Sequence, residues 1–125
     1  MGAVFSVDMD VKIKQGQEMA LLDAIISGTT ESRINYMELK GLDTYKLEDV
    51  LAYYFTAYHN EWVDIRDGRI KINTGFDAGY SWELVMMDIF ELMSPYLEDG
   101  SELYIQPNDN YDLLVVKNGK VVQKH

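Results

Sequence analysis

The chain lacks cysteine and has only two histidines among its 125 residues. Without cysteine it can form no disulfide, thiolate nucleophile, Fe–S cluster or Cys-based zinc site, and a reducing compartment such as the cytoplasm suits it. One of the two histidines, His125, is the last residue, so a His-based triad or metal site would have to combine it with His59. We therefore expect a cytoplasmic protein with no catalytic histidine, no bound metal and no cofactor.

Long apolar runs and nucleotide-binding motifs are also missing. The longest apolar stretch, from Leu84 to Met93, is interrupted by Asp88 and Glu91, so no membrane-spanning segment is predicted. Neither G-x-G-x-x-G nor G-x-x-x-x-G-K-[ST] occurs. The stretch from Thr74 to Ser81 is predicted to be a loop that leads from a strand into a helix. Because it contains Asp77 and no Lys or Arg, we interpret its glycines as shaping the connection rather than binding phosphate.

Positive charge is scarce. The chain has 11 Lys and Arg against 21 Asp and Glu, which gives a formal net charge of -10 at pH 7. From Ile72 to Val116 there is no Lys or Arg at all. Nucleic acids and anionic membranes are bound mainly through cationic side chains, so we expect neither as a direct partner. A basic protein is the partner class that this charge favours.

Two dipeptides, Asp67-Gly68 and Asn118-Gly119, predict β-hairpins with type I′ turns, because both positions of such a turn require a positive φ. Strict alternation of apolar and polar residues from Phe5 to Ile13 predicts a first strand, and Ser101 to Gln106 is predicted to be another. The segment from Ile34 to Leu39 could be a strand or a loop.

Apolar residues at helical spacing predict three helices: one from about Met19 that ends at Gly28, one from Tyr45 to His59, and one that starts after Ser81. Together with the strands they predict a single domain over residues 1–125. Its fold class is α+β, a two-layer sandwich with a mainly antiparallel sheet of five or six strands and about three helices on one face.

The acidic residues of the third helix suggest a function. The leading hypothesis is a non-enzymatic acidic interaction protein, for instance an inhibitor or immunity-type protein that covers the basic site of a protein partner. The predicted partner-binding residues are Asp77, Tyr80, Glu83, Asp88, Glu91 and Asp112.

Two alternatives remain open. The first is a small enzyme or metal-dependent binder that uses carboxylates such as Asp8 and Asp10, which lie two residues apart on one strand face. The second is a dimeric ligand-binding or structural subunit, for which the apolar patch would come from Met86, Met87 and Met93.

Aromatic residues make up 12% of the chain and include nine tyrosines. Tyr54, Phe55 and Tyr58 share the apolar stripe of the second predicted helix, so we expect them in the core. Other tyrosines do not fit inward positions and are expected at the surface. Tyrosine beside carboxylates is typical of protein interfaces, since it combines a large apolar ring with a polar group.

Overall fold

The computed structural model describes residues 2–31, 46–79, 81–106 and 112–124. These residues form three helices and one antiparallel sheet of six strands, which confirms the predicted α+β sandwich. In chain order the elements are β1 Gly2–Lys12, α1 Glu18–Glu31, α2 Leu47–Phe55, β2 Val63–Arg66, β3 Arg69–Gly79, α3 Trp82–Met93, β4 Glu102–Gln106, β5 Asp112–Lys117 and β6 Lys120–Lys124.

The strands lie in the order β2-β3-β1-β4-β5-β6. β1 is central and pairs with β3 along its whole length, from Gly2 opposite Gly79 to Lys12 opposite Arg69. From β1 to β4 the elements follow the β-α-β-β-α-β order of ferredoxin-like folds, with α1 and α2 both preceding β2. The hairpin of β5 and β6 extends the sheet on the β4 side.

One face of the sheet packs against the helices, and none of the described elements covers the other. In β1 the odd-numbered residues from Phe5 to Val11 are buried, whereas Ser6, Asp8 and Asp10 are exposed. This alternation is the one that the sequence predicts, and it places the core between the sheet and the helices. We call the three helices the helix layer and the other side of the sheet the open face. The largest helix-layer contributors to the core are Leu21, Ile25, Leu51, Tyr54, Phe55, Met86, Ile89 and Phe90.

Both predicted hairpins are present. Asp67 and Gly68 have φ values of 50° and 77°, and Asn118 and Gly119 have φ values of 54° and 74°. Positive φ at both central positions confirms the type I′ turns that fix the pairing of β2 with β3 and of β5 with β6.

The predicted ends of the first helix and of β3 are wrong, because the glycines there do not end either element. α1 continues past Gly28, where a Cβ atom would come within 2.6 Å of Leu92 in α3. Glycine therefore permits close contact between the two helices rather than ending the first. The predicted loop after Thr74 is instead part of β3, which stays paired with β1 as far as Gly79.

The second helix is shorter than predicted, since α2 ends at Phe55 and not at His59. Its predicted first residue, Tyr45, and the segment from Ile34 to Leu39 lie outside the described residues. Within the described ranges, no helix is both long enough and apolar enough to span a membrane.

Candidate protein-binding surface

Three of the predicted site residues lie on α3. Asp88 and Glu91 are exposed on its outer side, and Glu83 in its first turn is half-buried. Leu84 lies on the same side, one turn before Asp88, and 62% of its surface is exposed. The outer side of α3 therefore presents an apolar side chain next to two carboxylates.

Of the other three predicted site residues, Asp77 lies away from this group. Asp77 is exposed on the open face, opposite Val4 of β1, so the sheet separates it from α3. The backbone of Asp112 in β5 pairs with Ile105 of β4, and the side chain of Asp112 is outside the described part of the chain. Tyr80 also lies outside the described residues. Of the predicted site residues whose side chains are described, the structure places Glu83, Asp88 and Glu91 together on α3.

Charge is segregated between the two sides of the sheet. Within the bounds given above, the helix layer contains acidic residues and no Lys or Arg. Its described acidic side chains are Glu18, Asp23, Glu48, Asp49, Glu83, Asp88 and Glu91. Two described lysines lie outside the strands, Lys14 after β1 and Lys46 directly before α2. The other described basic residues lie on the strands, at positions that alternate onto the open face. They are Lys12, Arg66, Arg69, Lys71, Lys117, Lys120 and Lys124. The charged residues within the three helices are therefore all acidic, with Lys46 at the start of α2, and the open face has both signs.

A cluster of aromatic rings lies where α2 ends and α3 begins. The ring of Tyr53 meets Tyr54, Tyr58 and Trp82 edge-on, with centroid distances of 4.8, 5.0 and 5.9 Å. Trp82 stacks on Tyr54 and donates its indole N–H to the Tyr54 carbonyl at 2.9 Å. We call Tyr53, Tyr54, Tyr58 and Trp82 the aromatic corner. Edge-on contacts of this kind stabilise ring pairs beyond their apolar burial.

Tyr58 is the exposed member of the aromatic corner, with 75% of its surface accessible. Its helical spacing from Tyr54 and Phe55 predicts a core residue, and that prediction is wrong. The chain leaves the helix at this point because Ala57 and Tyr58 have φ values of 53° and 74°. The left-handed region costs a residue other than glycine about 1–2 kcal/mol. No glycine or proline in the segment signals the change.

Hydrogen bonds of the preceding residue, Thr56, hold Ala57 and Tyr58 in their strained backbone conformation. Thr56 is fully buried, and its hydroxyl lies 2.9 Å from the Ala52 carbonyl and 3.0 Å from the His59 carbonyl. The backbone N–H of Tyr58 also donates to Ala52 at 3.0 Å. These hydrogen bonds fix the backbone that presents Tyr58, and backbone strain in residues other than glycine is often found at functional sites.

Carboxylates border the aromatic corner. Asn60 donates to Asp49 of α2 at 3.1 Å, and His59 stacks on Trp62 with the ring centroids 4.1 Å apart. His59 Nδ1 lies 3.0 Å from Glu61 Oε1. A hydrogen bond from its own backbone and one to His59 hold the pKa of Glu61 below its ordinary value of 4.5. The Glu61 carboxylate, next to His59, therefore stays ionised to a lower pH than its ordinary pKa allows.

The open face holds the carboxylates of the enzyme alternative. Asp10 lies 3.6 Å from Arg69, and its strand neighbour across the pair is Lys71. Both Asp10 and Arg69 line an open cleft of about 600 Å³, together with Lys12 and residues 98–102. Among the described residues, no three His, Cys, Asp or Glu side chains are grouped closely enough to hold a metal ion. The cleft combines charges of both signs.

The methionines of the dimer alternative do not form a surface patch. Met86 and Met93 are fully buried in the core, and Met87 is half-buried. The large apolar side chains that the described residues do expose are elsewhere. They are Val4, Met19, Tyr58, Trp62, Leu84 and Val122.

Comparison with known proteins adds no assignment: no family model, no curated protein and no solved structure is significantly similar to the chain.

Proposed function

We propose that the chain is a non-enzymatic interaction protein that binds a basic protein partner through its helix layer and aromatic corner. The observation that carries this proposal is the segregation of charge, because within the three helices every charged residue is acidic. A partner with a cationic site matches that surface. An inhibitor or immunity-type protein that covers such a site on a nuclease or other nucleic-acid-binding protein is the function that fits best.

The aromatic corner supports the proposal by supplying an anchor. Binding energy in protein interfaces is concentrated in a few residues, and Tyr and Trp are enriched among them. Tyr58 is exposed, but its backbone is fixed by Thr56 and its ring by Tyr53. A side chain that is ordered before binding loses little entropy when the complex forms. An arginine or lysine of the partner could also stack on these rings.

The carboxylates of α3 would act mainly on the rate of association. Asp88 and Glu91 are exposed, so the attraction they exert reaches through solvent and is weakened by salt. Binding should therefore become slower as the ionic strength rises, while the contacts made by Tyr58 set the rate of dissociation.

The test begins with affinity capture from the native host, followed by purification of the captured protein and titration against the chain. We expect a basic partner whose affinity falls about tenfold or more with the double change Asp88→Lys and Glu91→Lys, since each reversal places a cation against the cationic site. Tyr58→Ala should weaken binding as well, and Tyr58→Phe should largely preserve it.

A charge-matched control is available on other parts of the molecule. Asp77→Lys with Glu98→Lys makes the same change in net charge, but Asp77 is on the open face and Glu98 is outside the helix layer. An equal loss of affinity in the control would show that total charge, and not the helix layer, matters. An acidic partner, or binding that no helix-layer change affects, would refute the proposal.

A further inference from the structure

β3 is longer than the strand beside it at the edge of the sheet. β2 pairs with β3 only as far as Val63 opposite Ile72, whereas β3 continues to Gly79. Among the strands that the structure describes, none pairs with this last part of β3 except β1 on its other side. We call the stretch from Gly75 to Gly79, on the side of β3 away from β1, the free edge.

The hydrogen bonds of the ladder show which residues point towards the free edge. Gly68, in the turn before β3, accepts the backbone N–H of Ile13 at 2.7 Å, so the even-numbered residues of this strand bond to β1. Bonded and non-bonded pairs alternate along an antiparallel ladder. The odd-numbered residues therefore direct their backbone N–H and C=O groups away from β1. On the free edge they are Gly75, Asp77 and Gly79.

The free edge lacks the usual protection of an edge strand. In the described ranges, the backbone groups that point towards it form no hydrogen bond. Natural edges are commonly protected by lysine, proline or a covering element, and residues 75–79 include no lysine and no proline. Two of the three residues that point outwards are glycines, and a Cβ atom added at Gly79 would meet nothing within 4 Å. Another backbone can therefore approach closely.

We propose that the free edge binds an extended peptide segment as an additional antiparallel strand. The backbone of this segment supplies the missing partners of Gly75, Asp77 and Gly79, in the manner of β-strand addition. Its side chains alternate between the two faces of the sheet. Those opposite the three odd-numbered residues lie on the open face, and the others lie on the side of the helix layer.

The neighbouring side chains specify the chemistry of the segment. Phe76 and Ala78 are half-buried and pack against the core, so apolar residues of the segment match the helix-layer side. Asp77 is exposed on the open face and, within the described chain, belongs to no ion pair. A lysine or arginine directly opposite it is favourable. The expected ligand is therefore a segment in which apolar and basic residues alternate.

The length of the free edge sets the expected strength. Five residues at about 3.4 Å each span about 17 Å. A short segment loses chain entropy when it becomes ordered, so we expect weak binding with a Kd on the order of 100 µM. The free edge is separate from the helix layer, and this inference does not rest on the function proposed above.

Amide hydrogen exchange, measured by NMR on the full chain, tests the inference. In the free chain the amides of Gly75 and Asp77 should exchange much faster than those of Thr74 and Phe76, which bond to β1. The probe is a synthetic peptide of alternating lysine and valine. At about 1 mM it should slow the exchange of Gly75 and Asp77 about tenfold, because only the unbound fraction of the chain exchanges.

Two N-methylated forms of the same peptide are matched controls. In the proposed arrangement the lysines lie opposite Gly75, Asp77 and Gly79 and direct their N–H groups towards β3. N-methylation of the lysine amides should therefore abolish binding. N-methylation of the valine amides blocks only groups that point away from β3 and should preserve binding. Equal effects of the two modifications would refute the proposed strand pairing.

Variants of the chain test the same groups, with circular dichroism to confirm that each is folded. Gly75→Pro removes an N–H that points to the free edge and none that bonds to β1, so it should abolish peptide binding. Gly75→Ala keeps this N–H and should bind like the wild type. Asp77→Lys should weaken binding about threefold, the effect of one cross-strand charge pair. Asp88→Lys with Glu91→Lys should leave peptide binding unchanged, which separates this site from the helix layer.

Three results would overturn the inference. The first is slow exchange of Gly75 and Asp77 in the free chain, which would show that the edge is already covered. Protection that is independent of protein concentration would indicate residues of the same chain, and protection that grows with concentration would indicate a second copy. The second is a lack of protection at about 1 mM peptide. The third is peptide binding that Gly75→Pro leaves unchanged.

Discussion

The helix layer and the open face lie on opposite sides of one sheet, and they meet solvent in different ways. The helix layer packs on the core of the protein, and the charged residues within its three helices are all acidic. In the described ranges, no second layer covers the open face, which places Asp and Lys or Arg on neighbouring strands, as in Asp10 opposite Lys71. Self-repulsion is therefore concentrated on one side of the molecule, and this is the side on which a cationic partner would be attracted most strongly.

The largest difference between the two sides should appear in stability. Leu103 in β4 is fully buried against the helix layer, and Leu103→Ala should lower the free energy of unfolding by about 3 kcal/mol, from lost burial and the cavity it leaves. Gln106 in the same strand is exposed on the open face, so Gln106→Ala should cost less than about 0.5 kcal/mol. Urea unfolding at micromolar concentration measures both, and equal losses would contradict the assignment of the core to one face.

A smaller loss of stability is expected from a substitution in the turn between β5 and β6, where Lys117 and Lys120 lie side by side. Gly119 has a φ of 74°, so Gly119→Ala should cost about 1–2 kcal/mol. Gly79 has no left-handed φ, and a Cβ atom added there would meet nothing within 4 Å, which makes Gly79→Ala the control without a loss. Thermal unfolding of the two variants should separate them clearly.

Changing two acidic residues to lysine should change the free energy of unfolding in opposite directions on the two sides of the sheet. Asp88→Lys with Glu91→Lys relieves repulsion in the helix layer and should raise stability by about 0.5 kcal/mol at low salt. Asp8→Lys with Asp10→Lys removes the partner of Arg69 and adds cations beside Lys71, so it should lower stability by a similar amount. Both effects should shrink in high salt. Thermal unfolding at two ionic strengths would measure both effects. Stability changes in the same direction for the two double variants would contradict the proposed difference between the two sides.

The smallest expected effect is on the stability of the fold at acidic pH. Because the pKa of Glu61 is lowered in the folded state, the folded chain binds this proton more weakly than the unfolded chain does. Its contribution to stability is complete above the ordinary pKa of 4.5 and is lost as the pH falls through the lower folded value. Glu61→Gln should therefore reduce the dependence of stability on pH below about 5, and leave it unchanged near pH 7. A pH series of urea unfolding curves checks this.

Local sequence patterns predict most of the fold. Alternation defines β1, and the Asp67-Gly68 and Asn118-Gly119 dipeptides define both hairpins, since these signals depend on neighbouring residues only. The predicted end of α1 is wrong because the role of Gly28 depends on Leu92, which is distant in sequence. Such close contacts between helices are not visible in local periodicity.

The candidate site is predicted less completely. The spacing of Glu83, Asp88 and Glu91 places them on one helix, and the structure agrees. The prediction groups Asp77 with them because it ends β3 before that residue, whereas the strand continues and turns Asp77 to the other face. The exposure of Tyr58 follows from a change of backbone direction that Thr56 supports through buried hydrogen bonds, and no residue type in the segment signals it.

The separation of charge across the sheet also means that the described charged residues contribute an electric dipole moment with a component along the sheet normal. In the field of an approaching cationic protein, this dipole produces a torque that turns the helix layer forward before any side chains touch. Collisions would then be oriented rather than random, and a larger fraction of them would begin with the aromatic corner on the partner's side. A protein with the same net charge spread evenly over both faces would be attracted equally, but it would arrive in every orientation.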